Sequence, residues 1–304
     1  MKNFLCIIVA ICLLTSCGQS YEETQRQTRR QRQQMLHEDS AALKVAVMPT
    51  MDCLPLYVAQ ERGFFKTQGV DVRLKLFTAQ MDCDTAIARG RVEGLVSDLV
   101  RTEHMQQEVP LRYVAATNAY WQLITRRNAR IRQLKELDDK MVAMTRNSVT
   151  DRLTDIAVDS AKLKTERVFR IQINDVNVRL NMLLGDELDA MFLAEPQAVQ
   201  ARLMKHRVLM DTRNMDVYPG VLAFSEQALK KKNREKQLAV FMKAYGQACD
   251  SLAHYGVERY KDVAEKYCKV KGVALDSLAK NIKYKSVTKP REQDVEWAKK
   301  SAKE

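Results

Sequence analysis

The tripeptide Met-Asp-Cys occurs twice, as Met51-Asp52-Cys53 in "PTMDCLP" and as Met81-Asp82-Cys83 in "AQMDCDT". Thiols and carboxylates in that arrangement admit three kinds of chemistry. Cys53 and Cys83 would form a disulfide if their Cα atoms came within about 7 Å. Closing that loop would stabilise the chain by roughly 3 to 4 kcal/mol in the chain-entropy model. Asp52, Cys53, Asp82 and Cys83 could instead hold a soft cation, since thiolates bind such metals. The whole chain has only four histidines, none of them nearby, which argues against a metal. In the third case both copies border one binding cleft as free thiols and carboxylates. The choice depends on the elements that position them.

"LKVAVM" (Leu43 to Met48) is a short Val-rich apolar run, expected as a buried parallel strand. A helix should open at Pro55 and stop at Gly63, following the preference for proline at the start and glycine past the end. "VDVRLKLF" alternates as a strand, "CDTAIARG" is a short helix closed by Gly90, and "VEGLVSDL" is a third strand. Further strands are expected at "LRYVAAT", "WQLITR", "KMVAMT", "RVFRIQI", "LDAMFL" and "RVLMD". Helices are expected at "SVTDRLTDIAVDSAKL", where Ser148 and Asp151 have capping-box-like spacing, at "VNVRLNMLLG" and at "PQAVQARLMKH". Beyond these the chain turns mostly helical. Strand and helix alternate, so the class is α/β with parallel sheets and crossover helices. Such sheets bind ligands at the carboxyl ends of their strands. Each Met-Asp-Cys follows a strand and precedes a helix, so the two share an address without being an internal repeat.

A cleft at that address would be built from loops and helix N-termini. Asn147, Ser148 and Thr150 begin a helix whose free N–H groups favour an anion, and Ser148 also suits the N-cap itself. Met51, Asp52 and Cys53 should face Gln80, Met81 and Asp82, with Ser97 and Asp98 beside them. Paired aspartates suit an amine, an amidine or a hydroxylated ring, or else serve as helix caps. The methionines favour a flat, polarisable guest or simply fill core. Asn118, Tyr120 and Trp121 lie just past the first crossover, where an aromatic can stack on a planar ligand or pack the halves together. Glu195 ends a strand on the cleft side and needs a partner if buried. Tyr218, before Pro219, would close the pocket near the second crossover. No Ser-His-Asp set, phosphate-cradling glycine loop or metal quartet is present in the sequence, and His104 alone lies near a cleft strand. A catalytic residue, a cofactor and a metal are therefore not expected. Cys249 and Cys268 fall on successive helices, and their pairing stays open.

The N-terminus bears on compartment. Lys2 precedes the apolar "FLCIIVAICLLT", too short to span a bilayer and suited to a signal-peptide core. "LLTSC" ending at Cys17 resembles the lipobox of bacterial lipoproteins, which implies cleavage before Cys17, lipidation there, and a periplasmic protein anchored to a membrane. Residues 18–42 are almost without apolar side chains and read as a polar tether. The formal charge is +12, and nineteen Lys/Arg stand against eleven Asp/Glu from Glu226 to Glu304. No zinc-finger spacing or aromatic-basic RNA motif accompanies that surplus, so nucleic acid is not expected as a partner.

"LKVAVMPTMDCLPLYVAQERGFFKTQGVDVRLKLF" resembles the opening of bacterial ABC-transporter substrate-binding proteins of the nitrate, alkanesulfonate, taurine and thiamine-pyrimidine group, through Pro55, Ala59, Gly63, Phe65, Gly69 and Val72. "AIARGRVEGLVSDL" resembles a second family segment, with Glu93-Gly94 where an aspartate is usual. "LLGDELDAMFLAEPQAVQA" resembles a third, with Asp189, Glu195 and Pro196 in place; "YPGVLAFS" and "FMKAYGQA" complete the set. The resemblance implies a two-lobed type II periplasmic-binding fold with two hinge crossovers. One lobe would hold residues 43–117 and 211–304 with the C-terminal helices, the other 118–210. It also implies capture of a small polar, anionic or zwitterionic solute for an inner-membrane ABC permease, by a monomer. Alternatives are an enzyme on the same fold, pyrimidine-synthase-like or dehydratase-like, and a ligand-sensing subunit.

Overall fold

Ten short strands form two sheets in a computed structural model that describes residues 25, 26, 29 and 41–301. The leader, Cys17 and nearly all of the tether lie outside the described residues. The chain divides into two units, Met1–Ala42 and Leu43–Glu304, and the second contains both sheets. Its strands are β1 (Leu43–Val47), β2 (Val72–Leu76), β3 (Gly94–Asp98), β4 (Leu111–Ala116) and β5 (Gln122–Thr125). They continue as β6 (Lys140–Met144), β7 (Val168–Gln172), β8 (Ala190–Leu193), β9 (Arg207–Asp211) and β10 (Gly220–Ser225). The helices are α1 (Leu54–Glu61), α2 (Phe64–Gln68), α3 (Gln80–Ala88), α4 (Leu99–Met105), α5 (Val149–Ser160) and α6 (Val176–Leu184). After α7 (Gln197–Leu203) and α8 (Glu226–Leu229) come α9 (Arg234–Tyr255), α10 (Lys261–Cys268), α11 (Gly272–Asn281) and α12 (Glu292–Ser301).

The first sheet has the order β2-β1-β3-β10-β4 and the second β7-β6-β8-β5-β9. Each is parallel through three strands, as expected of strands joined by crossover helices. Each also contains one strand antiparallel to both its neighbours, β10 in the first and β5 in the second. The sheets are thus parallel-rich, as expected, with one reversed strand each. The sheets are mixed because β5 and β10 each enter from the opposite sheet, through the crossovers 117–121 and 212–219, and so run against the local direction.

Local chemistry explains the main boundaries. Pro55 occupies the first turn of α1, and the chain leaves it through Gly63 at φ 71°, a left-handed conformation that glycine adopts without steric cost. Glu93, where the family resemblance has an aspartate, is buried; it accepts from Lys44 N–H at 2.8 Å and pairs with buried Arg234 at 3.1 Å. A shorter side chain would not make both contacts from the same backbone position. Phe241 of α9 packs against Phe65 and Phe224, with ring centroids 5.3 and 5.4 Å away, and so ties the long helix to α2 and β10.

Gly94 faces Phe224 across the β3–β10 pair, where an added Cβ would stand 2.6 Å from the phenyl ring. Both strands are fully paired there, so neither backbone yields cheaply. Gly94→Ala is expected to lower stability by about 1–3 kcal/mol, the range for overpacking a close-packed core. The check is a reduced urea midpoint with an unchanged slope; an unaltered midpoint would show that the ring moves aside freely.

Candidate functional site

The carboxyl ends of the two sheets meet. Met51 N–H donates to Glu195 O at 2.9 Å, and Val176 N–H to Thr78 O at 3.1 Å. Ala79 and Asp175 form an antiparallel bridge. Val149 N–H donates to the Asp98 carboxylate at 3.0 Å, and the Arg101 guanidinium to Arg146 O at 2.8 Å. Between these contacts lies a cavity of about 70 Å³. That is roughly half the ~150 Å³ of an engineered cavity that takes benzene.

Seven of the expected site residues line it: Asp52, Gln80, Ser97, Asp98, Trp121, Ser148 and Thr150. Gln80 Nε2 donates to Ser97 Oγ at 3.0 Å, which fixes both on the first sheet's side. Asp52 is held by a 3.4 Å bond from Thr117, and burial pushes its carboxyl above the ordinary range. Met51, Asn118, Tyr120 and Glu195 border an adjoining space of only about 10 Å³, which Asp52 shares. Glu195 is buried and fully engaged, by Arg202 at 2.7 Å, Tyr120 Oη at 2.8 Å and Val199 N–H at 2.8 Å. Its role is to join α7 to the crossover. Tyr218 lines a separate, larger hollow on the side of the crossovers.

Besides Tyr218, four expected residues do not reach either small space. Cys53 points into the core, where its sulfur accepts from Met48 N–H at 3.4 Å and Thr50 Oγ1 at 3.6 Å. The second Met-Asp-Cys is not in a loop. α3 begins at Gln80, three residues earlier than the pattern suggested, so helical rotation turns Cys83 inward and leaves Met81 and Asp82 exposed. Asn147 stands at φ 57° at the edge, bonded to His104 Nε2 at 3.0 Å and, through its N–H, to Asp151 at 2.9 Å. The same bond takes Asp151 away from a full capping box with Ser148. All four cysteines among the described residues are buried and unbonded. Burial drives the Cys53 thiol well above its usual value, so it is an inert part of the core. The described residues contain no group of three or more His, Cys, Asp or Glu that could hold a metal.

Ser148 caps α5 as its position suggested, with Oγ accepting from Thr150 N–H at 3.2 Å. A second N–H of that helix start is also taken: Asp98 Oδ1 accepts from Val149 N–H while capping α4 through Arg101 N–H at 2.8 Å. One carboxylate thus serves two helix starts from opposite sheets. Removal from water pushes it up to about 7 despite both bonds.

The cation of the site went unrecognised. Arg179 of α6 is buried on the cavity wall, with Nη2 donating to Thr145 Oγ1 at 2.8 Å and Nη1 to Phe192 O at 3.2 Å. Its Nε is buried without a hydrogen-bond partner, and burial lowers the guanidinium to about 10, so it stays charged near neutrality. Gln197 is also on the wall, and its buried Oε1 has no partner. The sequence carried a signal for Arg179. It occupies the helical stripe Val176, Arg179, Leu180, Leu183, where a charged residue interrupts an otherwise apolar face.

The family model described as NMT1/THI5 like matches residues 50–256, from the first Met-Asp-Cys segment through the end of α9. The chain belongs to the NMT1/THI5-like family. No curated protein matches it. Among solved structures, the periplasmic aliphatic sulphonate binding protein SsuA from Escherichia coli is 15% identical with a TM-score of 0.70, covering 86% of this chain and 90% of that one. The periplasmic nitrate-binding protein NrtA from Synechocystis PCC 6803 is 13% identical with a TM-score of 0.67, covering 84% and 74%. The desulfurization enzyme DSZB is 11% identical with a TM-score of 0.60, covering 86% and 90%. At these identities the likeness is one of fold. It places the two mixed sheets in the periplasmic-binding-protein architecture, which carries binding proteins and an enzyme alike.

Proposed function

We propose that this NMT1/THI5-like chain is the substrate-binding protein of an ABC importer, capturing a small anionic or zwitterionic solute between two lobes. Residues 43–117 with 211–304 would form one lobe and 118–210 the other, a division supported by the strand membership of the two sheets. The observation that carries the reading is Arg179, a buried, charged guanidinium on the wall of an inter-sheet cavity. Burying a cation without a carboxylate in contact is costly, and an oxoanion supplies the missing charge and acceptors. Asp52 lies on the opposite wall, so a hydrogen-bond donor or amine on the same solute would complete the set. The cavity volume suits a nitrate, a carboxylate or a sulfonate head, and a pyrimidine ring would need a wider state of the cleft.

Closure must be driven by contacts that only the closed state makes. An anion touching Arg179 on the second sheet and Gln80 or Ser97 on the first would bridge both. Cleavage and lipidation at Cys17 would hold the protein at the membrane face near its permease, acting as a monomer in the periplasm. Against catalysis, no cysteine lines the cavity among the described residues, and Cys53, next to the lining residue Asp52, is committed to core hydrogen bonds.

The test is a thermal-shift and calorimetric screen of nitrate, methanesulfonate, taurine, small amino acids and an aminopyrimidine. At least one small oxoanion is expected to raise the melting temperature by several degrees, because a ligand at a hundred times its Kd stabilises by about 2.7 kcal/mol. A screen in which no member binds, while the protein turns over a sulfur or pyrimidine compound, would replace transport with catalysis.

A further inference from the structure

A larger hollow lies on the crossover side of the molecule, separate from the cleft cavity. Its volume is about 440 Å³, within the range of small-molecule sites. The floor is apolar and well buried: Ala119 from the first crossover, Tyr245 and Cys249 from α9, and Tyr284 from the extended segment after α11. Tyr120 and Tyr218 contribute a wall from each crossover. The guanidinium of Arg213 stacks on Tyr120 at 4.0 Å, and that of Arg291 on Tyr218 at 4.7 Å.

Charge is distributed unevenly around this space. Arg213 is matched by Asp211 at 2.6 Å, and Arg291 by Asp294 at 2.7 Å and Asp216 at 3.0 Å. Asp294, the acidic residue on the lining, is thereby taken, and it also accepts from Tyr218 N–H at 3.2 Å. Lys283, Lys285 and Lys289 line the same space, are exposed, and have no ion-pair partner among the described residues. Three unmatched cations from the lysine-rich C-terminal quarter thus line one aromatic-walled hollow. Plain solvation accounts for lysines on a convex surface, but not for their convergence on such a cavity.

We propose that this hollow is a second binding site, for an amphipathic organic anion. An aromatic body would lie against Tyr120, Tyr218 and the apolar floor, with its carboxylate at Lys283, Lys285 and Lys289. The volume, nearly three times the ~150 Å³ that accepts benzene, takes a two-ring body. Aromatic faces reward a flat guest, and the lysines discriminate against its uncharged analogue.

The test is calorimetric titration of the protein with 2-naphthoate and with its neutral counterpart, 2-naphthamide. Naphthoate is expected to bind at submillimolar concentration and about tenfold more tightly than the amide. The triple exchange Lys283→Gln, Lys285→Gln, Lys289→Gln should weaken naphthoate about tenfold, and Arg179→Met in the cleft should leave it unchanged. The three lysines are exposed and have no ion-pair partner among the described residues, so the triple variant is expected to fold and to keep its response to the small oxoanion of the cleft. Failure of naphthoate to bind, equal binding of the amide, or indifference to the lysine exchange would overturn the proposal. So would loss of naphthoate binding in Arg179→Met, which would place the aromatic anion in the cleft. None of these results depends on whether nitrate or a sulfonate binds there.

Discussion

Arg179→Met is expected to weaken binding of the small oxoanion found by screening about a hundredfold or more, while the unliganded protein melts within a few degrees of the original. The two halves of this expectation have different causes. A buried guanidinium bonded to a ligand contributes about 2–5 kcal/mol when its loss leaves the partner charge unmatched. At 1.4 kcal/mol per tenfold, that range brackets a hundredfold change. Stability changes little because two effects oppose each other. Methionine forfeits the bonds to Thr145 and Phe192 O, yet removes a buried charge that burial already disfavours. Isothermal titration with the chosen anion measures the first half and a melting curve the second. An affinity within threefold of the original would remove Arg179 from the site, and with it the main support for an anionic solute.

The second large effect concerns pH. Asp98 has an ordinary carboxylate value of 3.8 when unfolded and is pushed up to about 7 in the native protein. The native state therefore binds the proton more tightly than the unfolded state between those values. The favourable contribution is fully present below about pH 4 and is lost as pH rises through 7. Asp98→Asn cannot titrate, and its side-chain oxygen can accept the same two N–H bonds, because both go to Oδ1. Relative to the original protein, the variant is thus expected to gain on the order of 2–4 kcal/mol between pH 4 and pH 7.5, from a shift of about 1.4 kcal/mol per pH unit. Urea midpoints of the two proteins at both pH values give the difference directly. A constant difference across that interval would mean that the Asp98 carboxyl is ionised throughout.

Much of the architecture was legible because it rests on local rules. Val-rich runs became strands, Pro55 and Gly63 framed α1, and the alternation of element types required crossovers. The mixed character of the sheets was hidden because β5 and β10 have the same composition as their parallel neighbours, and only the path of the chain between sheets reverses them. At the site, residues at or just past strand ends come together on the cavity wall, as Asp52, Ser97 and Ser148 illustrate. Met81 and Asp82 failed because one extra helical turn at the start of α3 leaves no mark in a polar segment. Asp98 was expected to meet the guest and instead satisfies two helix starts, a pairing over fifty residues of sequence that no local pattern encodes. Arg179 could have been found by treating a charge on an apolar helical stripe as a question.

Three of the fastenings between the sheets use main-chain groups alone: Met51 with Glu195, Val176 with Thr78, and Ala79 with Asp175. A fastening of that kind is indifferent to side-chain identity. Residues such as Gln80 or Trp121 can therefore be exchanged over evolutionary time, retuning which guest is preferred, without unpicking these three. Ligand preference and the mechanics of shutting are to that extent separately heritable traits, and a library randomised at Gln80 and Trp121, with Asp98 spared, should keep its ability to close.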